Sequence, residues 1–308
     1  MSTEGLMIAS VGESLIDCIN GQNHIGGCAL NVALAAARLG GAVSYFGKIS
    51  SDELGHMILE RMIDDGVIFD PQLCNCEKPT LCSIANTDSD GKATYRFDYK
   101  DTATCDVTEV ELSKSFENEG DIDIVFFGSI SLLMEPGCDA IMPAIRSIST
   151  KPKLVFDPNV RPSLIKDGDS YRKMVFSLAG ECDLVKASDD DVSYLFPGLE
   201  ADEAQSSLAK LCKCNLVVTK GSEGSSWFVR GRRFDCPTPK VDKVVDTVGC
   251  GDTFAAGLLV YMQSHELIER LGSLDRQEIE SALMFASKAA ALNCLKAGCN
   301  PPFISEMI

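Results

Sequence analysis

The stretch D-T-V-G-C-G-D-T-F-A-A-G, residues 246–257, indicates the fold, because a glycine-rich turn runs directly into an apolar segment. The segment from Phe254 to Leu271 has leucines and aromatic residues at helical spacing and predicts a helix. Gly249 and Gly251 lack Cβ, so the backbone can turn sharply and approach a ligand closely. The first N–H groups of a helix have no intrahelical partner, and the helix dipole adds positive charge there. The turn therefore predicts a site for a phosphate or a developing oxyanion.

Asp252 follows this turn directly. Its carboxylate is placed to take a proton from an attacking hydroxyl. An anion-binding turn beside a general base suggests phosphoryl transfer to an alcohol, with the N–H groups of Gly249, Cys250 and Gly251 holding the developing charge. The plainer alternative is that Asp252 only begins the helix, which is a common use of Asp.

Composition limits the class of protein. The chain has 308 residues, of which 45% are hydrophobic and 24% charged, as is typical of globular domains. Its formal net charge of −17 disfavours nucleic acid and anionic membranes as partners. No secretory signal or membrane span is apparent, so the 14 cysteines are interpreted as reduced thiols of a cytoplasmic protein. The pairs Cys74/Cys76 and Cys212/Cys214 lack zinc-ribbon spacing, which disfavours a structural metal site.

Short apolar strands alternate with helical patterns along most of the chain. The predicted strands are 7–11, 43–46, 122–127, 154–156, 184–186 and 216–219, and the predicted helices are 31–39, 54–64, 140–148, 171–179, 204–212 and 279–297. This alternation indicates a mostly parallel sheet with helices on both faces. Two alternating strands, 81–86 and 93–99, flank the hairpin signal at 88–91 and are assigned to a small β appendage; 226–234 is a second hairpin pattern.

Residues 246–257 resemble the C-terminal signature of the ribokinase-like (PfkB-type) sugar kinases, D-[ST]-x-G-A-G-D-x-F-x-x-G, with Cys250 where the family usually has Ala. The resemblance implies an α/β fold, a ribokinase-like three-layer sandwich in one domain, 1–308, with a β lid formed by about 13–27 and 80–100. It also implies a small sugar substrate, ATP and Mg²⁺, with K⁺ as a further cofactor and a homodimer formed through the lid.

A second resemblance lies near the N-terminus, where Gly26-Gly27 and Asn31 follow Asp17 as in the same kinases. There the Asp, the paired glycines and the Asn bind sugar hydroxyls. This chemistry suits a sugar, because a carboxylate accepts hydrogen bonds while an amide both donates and accepts them. The alternative is that Asp17 is a surface turn residue and Asn31 caps a helix.

The substrate is suggested by residues 157–162, which resemble the D-x-N-x-R element of fructokinases and 2-keto-3-deoxygluconate kinases. Arg161 in this element would bind a hydroxyl, a carboxylate or a phosphate. A loop salt bridge is the alternative for Arg161. Residues 129–132 also resemble fructokinases most closely, so fructose is the first expectation. A keto-deoxy sugar acid is second, ahead of ribose and nucleosides such as adenosine.

Further segments resemble the nucleotide and ion sites of the family. Residues 186–191 stand where the family carries N-x-x-E, which implies that Lys186 and Ser188 bind nucleotide and Asp191 binds Mg²⁺; an Asp-rich helix start is the alternative. Residues 219–224 resemble T-x-G-x-x-G, which places Thr219, Gly221 and Gly224 along the nucleotide, unless they form an ordinary strand-to-turn junction. The remaining implied residues are Ser287 beside adenine and Asp246 with Gly298 at a monovalent-cation site.

The sequence contains neither a Walker A motif nor a G-x-G-x-x-G fingerprint, which disfavours a P-loop kinase and a dinucleotide oxidoreductase. Two other hypotheses stay open. One is a catalytically silent sugar or nucleotide sensor on the same fold. The other is redox regulation through Cys28 beside the paired glycines or Cys250 at the turn. The alternative is that these thiols are inert core residues.

Overall fold

A central sheet forms the middle layer of the computed structural model, which describes residues 6–19, 21–87, 93–97, 99–212, 215–241 and 243–308. The strands in chain order are β1 Ile8–Val11, β2 Leu15–Ile19, β3 Gln22–Gly26, β4 Val43–Phe46, β5 Ile68–Phe69, β6 Cys82–Thr87, β7 Ala93–Phe97, β8 Ile124–Gly128, β9 Lys153–Asp157, β10 Leu184–Ser188, β11 Asn215–Thr219, β12 Ser225–Val229 and β13 Arg232–Cys236. The α-helices are α1 Cys28–Arg38, α2 Glu53–Asp65, α3 Glu109–Glu119, α4 Cys138–Ser147, α5 Gly168–Glu181, α6 Asp189–Leu195, α7 Ala201–Leu211, α8 Cys250–Ser264 and α9 Arg276–Asn293.

The order of the central sheet is β13-β12-β11-β10-β9-β8-β1-β4-β5. The strands from β11 to β5 pair in parallel, and β12 and β13 extend the sheet in antiparallel fashion. The chain builds outward from β1 through β4 on one side and from β8 through β11 on the other. The direction of winding therefore reverses between β1 and β8, and such a reversal opens a crevice at the carboxyl ends of the strands.

Each face of the central sheet is covered by its own hydrophobic core. Alternating strand residues such as Ile8 and Phe126 pack with α1, α2, α8 and α9 on one face. Their neighbours, such as Ala9 and Phe127, pack with α3, α4, α5, α6 and α7 on the other. Because strands buried on both faces need apolar residues at every position, they read as continuous apolar runs. This arrangement confirms the predicted three layers.

A second, four-stranded sheet of order β3-β2-β6-β7 stands apart from the central one. Strand β2 pairs with β3 in antiparallel fashion and with β6 in parallel, and β6 pairs with β7 in antiparallel fashion. These strands fall within the ranges that the family resemblance implies for the lid, about 13–27 and 80–100. The predicted turn at 88–91 lies outside the described residues, as does Cys214.

Most predicted elements are present, with ends shifted by a few residues, but two differences are larger. The helix predicted to run from Phe254 to Leu271 is wrong at its end, because α8 stops at Ser264. Glu266 adopts a left-handed φ of 54°, and the N–H of Leu267 turns back to the carbonyl of Met262 at 2.8 Å, which terminates the helix. Helix α3 was not predicted, although its capping box of Thr108 and Glu111 is a recognisable start signal.

Candidate active site

A cavity of about 620 Å³ opens at the carboxyl edge of the sheet where the winding reverses. Its lining is drawn from the segments that follow β1, β8 and β9, from β2, from the start of α1 and from the turn before α8. The lining residues are Glu13, Leu15, Asp17, Gly27, Cys28, Asn31, Ser129, Ile130, Asn159, Arg161, Pro162, Ser163, Thr247, Val248, Gly249, Gly251 and Asp252. The structure thus brings the predicted N-terminal and C-terminal motifs together in one cavity.

The glycine turn at the start of α8 has the conformation that the sequence predicts. Gly249 caps the helix with a left-handed φ of 71°, and a Cβ at this position would lie 2.3 Å from Sγ of Cys299. Only glycine fits such a position without rearrangement. The predicted donors differ in one respect, since the N–H of Cys250 is used by the carbonyl of Thr247 at 3.2 Å. Among the described residues, the N–H groups of Gly251 and Asp252 have no acceptor, so these are the donors that face a ligand.

Asp252 lies within the first turn of α8 and is 8% exposed. Its Oδ2 accepts a hydrogen bond of 2.8 Å from Nδ2 of Asn31, which is held in the second turn of α1. The helix-start alternative does not fit, because Gly249 is the capping residue and the carboxylate bonds to another helix. Oδ1 of Asn31 is buried and has no partner within the described part of the chain. A ligand hydroxyl would satisfy this acceptor.

A buried ammonium group lies behind the turn. Nζ of Lys186 is 2.8 Å from Oδ2 of Asp157, and both side chains are almost fully buried. A Cβ built on Gly251 would lie 3.2 Å from this Nζ, so the ammonium group borders the anion-binding turn. Burial works to lower the pKa of Lys186, but the charges of Asp157, Asp191 and Asp252 outweigh it and raise that pKa. Lys186 therefore stays positively charged beside Gly251.

Asp17 and Arg161 face the same cavity from different layers. Asp17 belongs to β2 of the second sheet, and burial raises its pKa although the charge of Arg161 acts in the opposite direction. Nη1 of Arg161 donates to the carbonyls of Asn159 and Val160 at 3.2 and 3.1 Å. Among the described residues, Arg161 bonds to these backbone carbonyls and forms no ion pair with a carboxylate, so the loop salt bridge is not formed there.

The paired glycines have different surroundings. Gly27 lines the cavity with a φ of 103°, and a Cβ there would lie 2.5 Å from the carbonyl of Glu13. Gly26 does not line the cavity. A Cβ on Gly26 would lie 2.6 Å from Oδ2 of Asp17, so its role is to leave room for that carboxylate.

Two residues of the site are given no role by the sequence analysis. Glu13 is 1% exposed, and its Oε1 accepts a 2.9 Å hydrogen bond from the N–H of Cys28 at the start of α1. Burial, assisted by the charge of Asp252, raises the pKa of Glu13 to about 7 against the backbone hydrogen bonds that lower it. Asn293 donates to the carbonyl of Val248 at 2.9 Å and so holds the turn before α8. Glu13 could have been identified as a site residue because it follows Gly12 at the end of a strand. No local sequence pattern identifies Asn293 as a site residue.

The predicted nucleotide residues lie outside the cavity lining, and those at the ends of β10 and β11 continue along the same edge of the sheet. Ser188 at the end of β10 pairs in register with Thr219 at the end of β11. Ser188 caps α6, whereas Thr219 precedes the short turn between β11 and β12. The β11–β12 turn holds Gly221 and Gly224; a Cβ on Gly224 would lie 2.2 Å from the carbonyl of Cys236. Ser287 is buried in α9, at 4% exposure.

The two predicted metal ligands are occupied by backbone groups. Oδ1 and Oδ2 of Asp191 accept from the N–H groups of Val160 and Ser188, both at 2.7 Å, and Asp191 closes the capping box of α6. The Asp-rich helix start is therefore what the structure contains. Asp246 accepts from Val248 at 3.0 Å and from Gly298 at 2.9 Å, which brings the two segments predicted at the cation site together. No group of three His, Cys, Asp or Glu side chains suited to a metal ion occurs among the described residues.

Comparison with known proteins identifies the family of this chain. The sequence profile of the pfkB family carbohydrate kinases matches residues 5–306. The chain belongs to the pfkB family of carbohydrate kinases. This pfkB-family kinase is therefore a phosphotransferase with a sugar-type acceptor. Separately, no described helix is both long and apolar enough to cross a membrane.

Similar proteins include two fructokinases, one bacterial and one from a plant. The kinase is 31% identical over 293 residues to a fructokinase of Rhizobium leguminosarum bv. trifolii, a match that covers 89% of this chain and 86% of the relative. It is also 31% identical over 314 residues to fructokinase-2 of Zea mays, covering 96% and 90% of the two chains. The crystal structure of a fructokinase with bound ATP from Xylella fastidiosa superimposes with a TM-score of 0.82 at 24% identity, covering 98% of this chain and 96% of that one. This likeness confirms the ribokinase-like fold.

Proposed function

We propose that this kinase is an ATP-dependent fructokinase, which transfers the γ-phosphate of ATP to a primary hydroxyl of fructose. The observation that carries the proposal is the meeting of Asp252, the free N–H groups of its turn and the polar residues of the second sheet in one cavity. The two fructokinase relatives, each 31% identical over most of the chain, support fructose as the acceptor.

In the proposed reaction, Asp252 accepts the proton of the sugar hydroxyl through Oδ1, because Oδ2 is bound by Asn31. The sugar oxygen bonds to the γ-phosphorus, and the bond from that phosphorus to the bridging oxygen of ADP breaks. The N–H groups of Gly251 and Asp252 face the transferring phosphoryl group at the positive end of α8. The ammonium group of Lys186 adds a full positive charge behind Gly251.

The sugar is proposed to lie between the second sheet and the turn. Asp17 and the unpaired Oδ1 of Asn31 accept its hydroxyls, while Arg161 and the backbone at Gly27 donate to them. Because Asp17 belongs to β2, a sugar bound here would bridge the two sheets. This position supports the role of the second sheet as a lid.

ATP is proposed to extend from the turn along the ends of β10 and β11, past Ser188, Thr219, Gly221 and Gly224, with its base near Ser287. It would enter as its Mg²⁺ complex, since Mg²⁺ usually keeps waters and binds through substrate phosphates. Asp191 does not fit a direct Mg²⁺ ligand, because both of its oxygens already bind N–H groups. The contact of Asp246 with Gly298 is consistent with a potassium site, which stays a prediction.

A keto-deoxy sugar acid is the second candidate substrate. The specific observation in its favour is the guanidinium group of Arg161, which lines the cavity and bonds only to backbone carbonyls among the described residues. A substrate carboxylate would pair with it in bidentate fashion. Ribose and nucleosides rank behind, since nothing in the cavity favours them specifically.

The test is ADP release from ATP–Mg²⁺ in the presence of fructose, 2-keto-3-deoxygluconate, ribose, adenosine or inosine. We expect turnover with fructose at a kcat/KM at least tenfold above that of each other acceptor. This ratio corresponds to a difference of about 1.4 kcal/mol in transition-state binding. A preference for 2-keto-3-deoxygluconate would transfer the assignment to the second candidate. ATP binding without turnover on any acceptor would favour the sensor hypothesis.

A further inference from the structure

Two thiols from different helices meet at the turn that precedes the catalytic helix. Sγ of Cys250 lies 2.8 Å from Sγ of Cys294, although the residues are 44 positions apart in the sequence. Cys250 is the first residue of α8, and Cys294 follows the last residue of α9. Both cysteines are partly exposed. They therefore form a dithiol that a small reagent can reach.

The backbone around this dithiol holds the two thiols in place. The carbonyl of Cys294 accepts from the N–H groups of Val245 at 2.8 Å and Asp246 at 3.3 Å. Nδ2 of Asn293 donates to the carbonyl of Val248 at 2.9 Å and to Sγ of Cys250 at 3.2 Å. The end of α9 is thus hydrogen-bonded, through both Asn293 and Cys294, to the segment that presents the anion-binding N–H groups. The meeting of the thiols follows from this attachment.

We propose that Cys250 and Cys294 are an oxidative modification site, at which a small disulfide such as oxidised glutathione closes an intramolecular disulfide that lowers kinase activity. This inference rests on the proposed function only in that the loss of activity is measured as fructose-dependent ADP release. In the first step, the thiolate of one cysteine attacks the reagent, forms a mixed disulfide and releases one reduced thiol. In the second, the other cysteine attacks that mixed disulfide and releases the second reduced thiol. Two protons and two electrons pass from the protein to the reagent.

The surroundings of Cys250 bear on which cysteine attacks first. Burial, together with the contact to Cys294, raises the pKa of the Cys250 thiol to about 12. Because the thiolate is the nucleophile, this shift disfavours Cys250 as the cysteine that attacks the reagent first.

Closure of the disulfide would disturb the turn. Bonded sulfurs lie about 2.05 Å apart, so the two residues must approach, and the sulfur that accepts the hydrogen bond from Asn293 must move. Gly249 has little room to follow, since it packs against Cys299. The next residue, Gly251, presents one of the free N–H groups. A misplacement of about 1 Å at such a site can cost about 10²-fold in rate.

Cys28, the other cysteine that the sequence placed near the site, differs from this pair. It is 5% exposed, and burial raises the pKa of its thiol well above the usual range. Among the described residues, no hydrogen bond joins its thiol to another cysteine, unlike the pair at the turn. Sensitivity to oxidation is therefore assigned to the pair at the turn and not to Cys28.

The experiment treats the purified enzyme with excess oxidised glutathione, maps disulfides by mass spectrometry of non-reduced peptides, and measures fructose-dependent ADP release. In wild type we expect a Cys250–Cys294 cross-linked peptide and a loss of at least ~10-fold in activity, reversed by dithiothreitol. Cys294→Ser should keep its activity under the same treatment. Cys299→Ser, the matched control from the same neighbourhood, should be inactivated like wild type.

Two outcomes would overturn the inference. One is the absence of the cross-linked peptide in wild type, including the case where only a glutathione adduct is found. The other is equal inactivation of wild type and Cys294→Ser, with circular dichroism showing that the variant is folded; Cys294→Ala gives a second, independent variant. Peptide mapping does not depend on the substrate, so a chain that is inactive on fructose before oxidation would count against the proposed function alone.

Discussion

Nδ2 of Asn31 donates a 2.8 Å hydrogen bond to Oδ2 of Asp252, across 221 positions of sequence. This contact joins the second turn of α1 to the first turn of α8, the two helices that begin at the cavity. It fixes one carboxylate oxygen and leaves the other for the hydroxyl of a bound sugar. The amide and the carboxylate are therefore expected to act as a unit.

Replacement of Asn31 by Ala should lower kcat by about 10- to 100-fold, because a hydrogen bond to a charged group is worth about 1.5–3 kcal/mol. Steady-state kinetics on fructose would measure the loss. Asn215→Ala is the matched control, since Asn215 is equally buried and binds Nε1 of Trp227 at 3.0 Å away from the cavity. That variant should lose stability and keep kcat. Equal kcat values for the two variants would show that Asn31 does not orient the base.

Glu13 should make folding stability depend on pH in an unusual direction. Its pKa is about 7 in the folded protein and 4.5 when unperturbed, so the folded state holds a proton that the unfolded state releases between these values. Stability from Glu13 is therefore complete below pH 4.5 and is lost as pH rises through 7. The shift corresponds to roughly 3 kcal/mol.

Urea unfolding of wild type and Glu13→Gln at several pH values would measure this effect. The free energy of unfolding of wild type relative to the Gln variant should fall between pH 5 and pH 8. Glu111→Gln offers a control of opposite sign, because its hydrogen bonds to Lys48 and Thr108 outweigh desolvation and lower the pKa of Glu111. A pH-independent difference for Glu13→Gln would mean that the carboxyl group is ionised throughout.

Arg161 should contribute to sugar binding and not to nucleotide binding. We expect Arg161→Ala to raise the KM for the sugar by about 10- to 100-fold, the range for a lost charged hydrogen bond, with the KM for ATP unchanged. Arg172→Ala is a suitable control, because Arg172 pairs with Asp169 on α5 and does not line the cavity. An equal rise in both KM values would place Arg161 outside the sugar site.

Local patterns predicted much of the fold. The strands of the central sheet are continuous apolar runs since both faces are buried, and their positions were predicted to within a few residues. The end of α8 was not predicted correctly, because apolar residues such as Leu267 continue past the left-handed turn at Glu266 and fill the same core. Helical spacing cannot distinguish a helix from apolar residues that pack beyond its end.

The candidate site was predictable in its groups but not in its contacts. Spacing alone suggested Asp252 and the glycine turn, whereas the use of the Cys250 N–H by Thr247 depends on the turn geometry. The burial of Glu13 goes with its contact to the start of α1, where it accepts from the N–H of Cys28, and no short pattern predicts that contact. The homodimer through the second sheet stays a prediction.

Turnover of the Asp252→Asn variant tests the central proposal most directly. The substitution keeps an oxygen to accept the hydrogen bond from Asn31 and removes the proton acceptor. With fructose and ATP–Mg²⁺, we predict that kcat falls by at least ~10²-fold while the circular dichroism spectrum and Tm stay close to those of wild type. Asp169→Asn, an 80% exposed carboxylate in the first turn of α5, should retain full turnover. A folded Asp252→Asn enzyme with near-wild-type kcat would contradict the assignment of Asp252 as the general base.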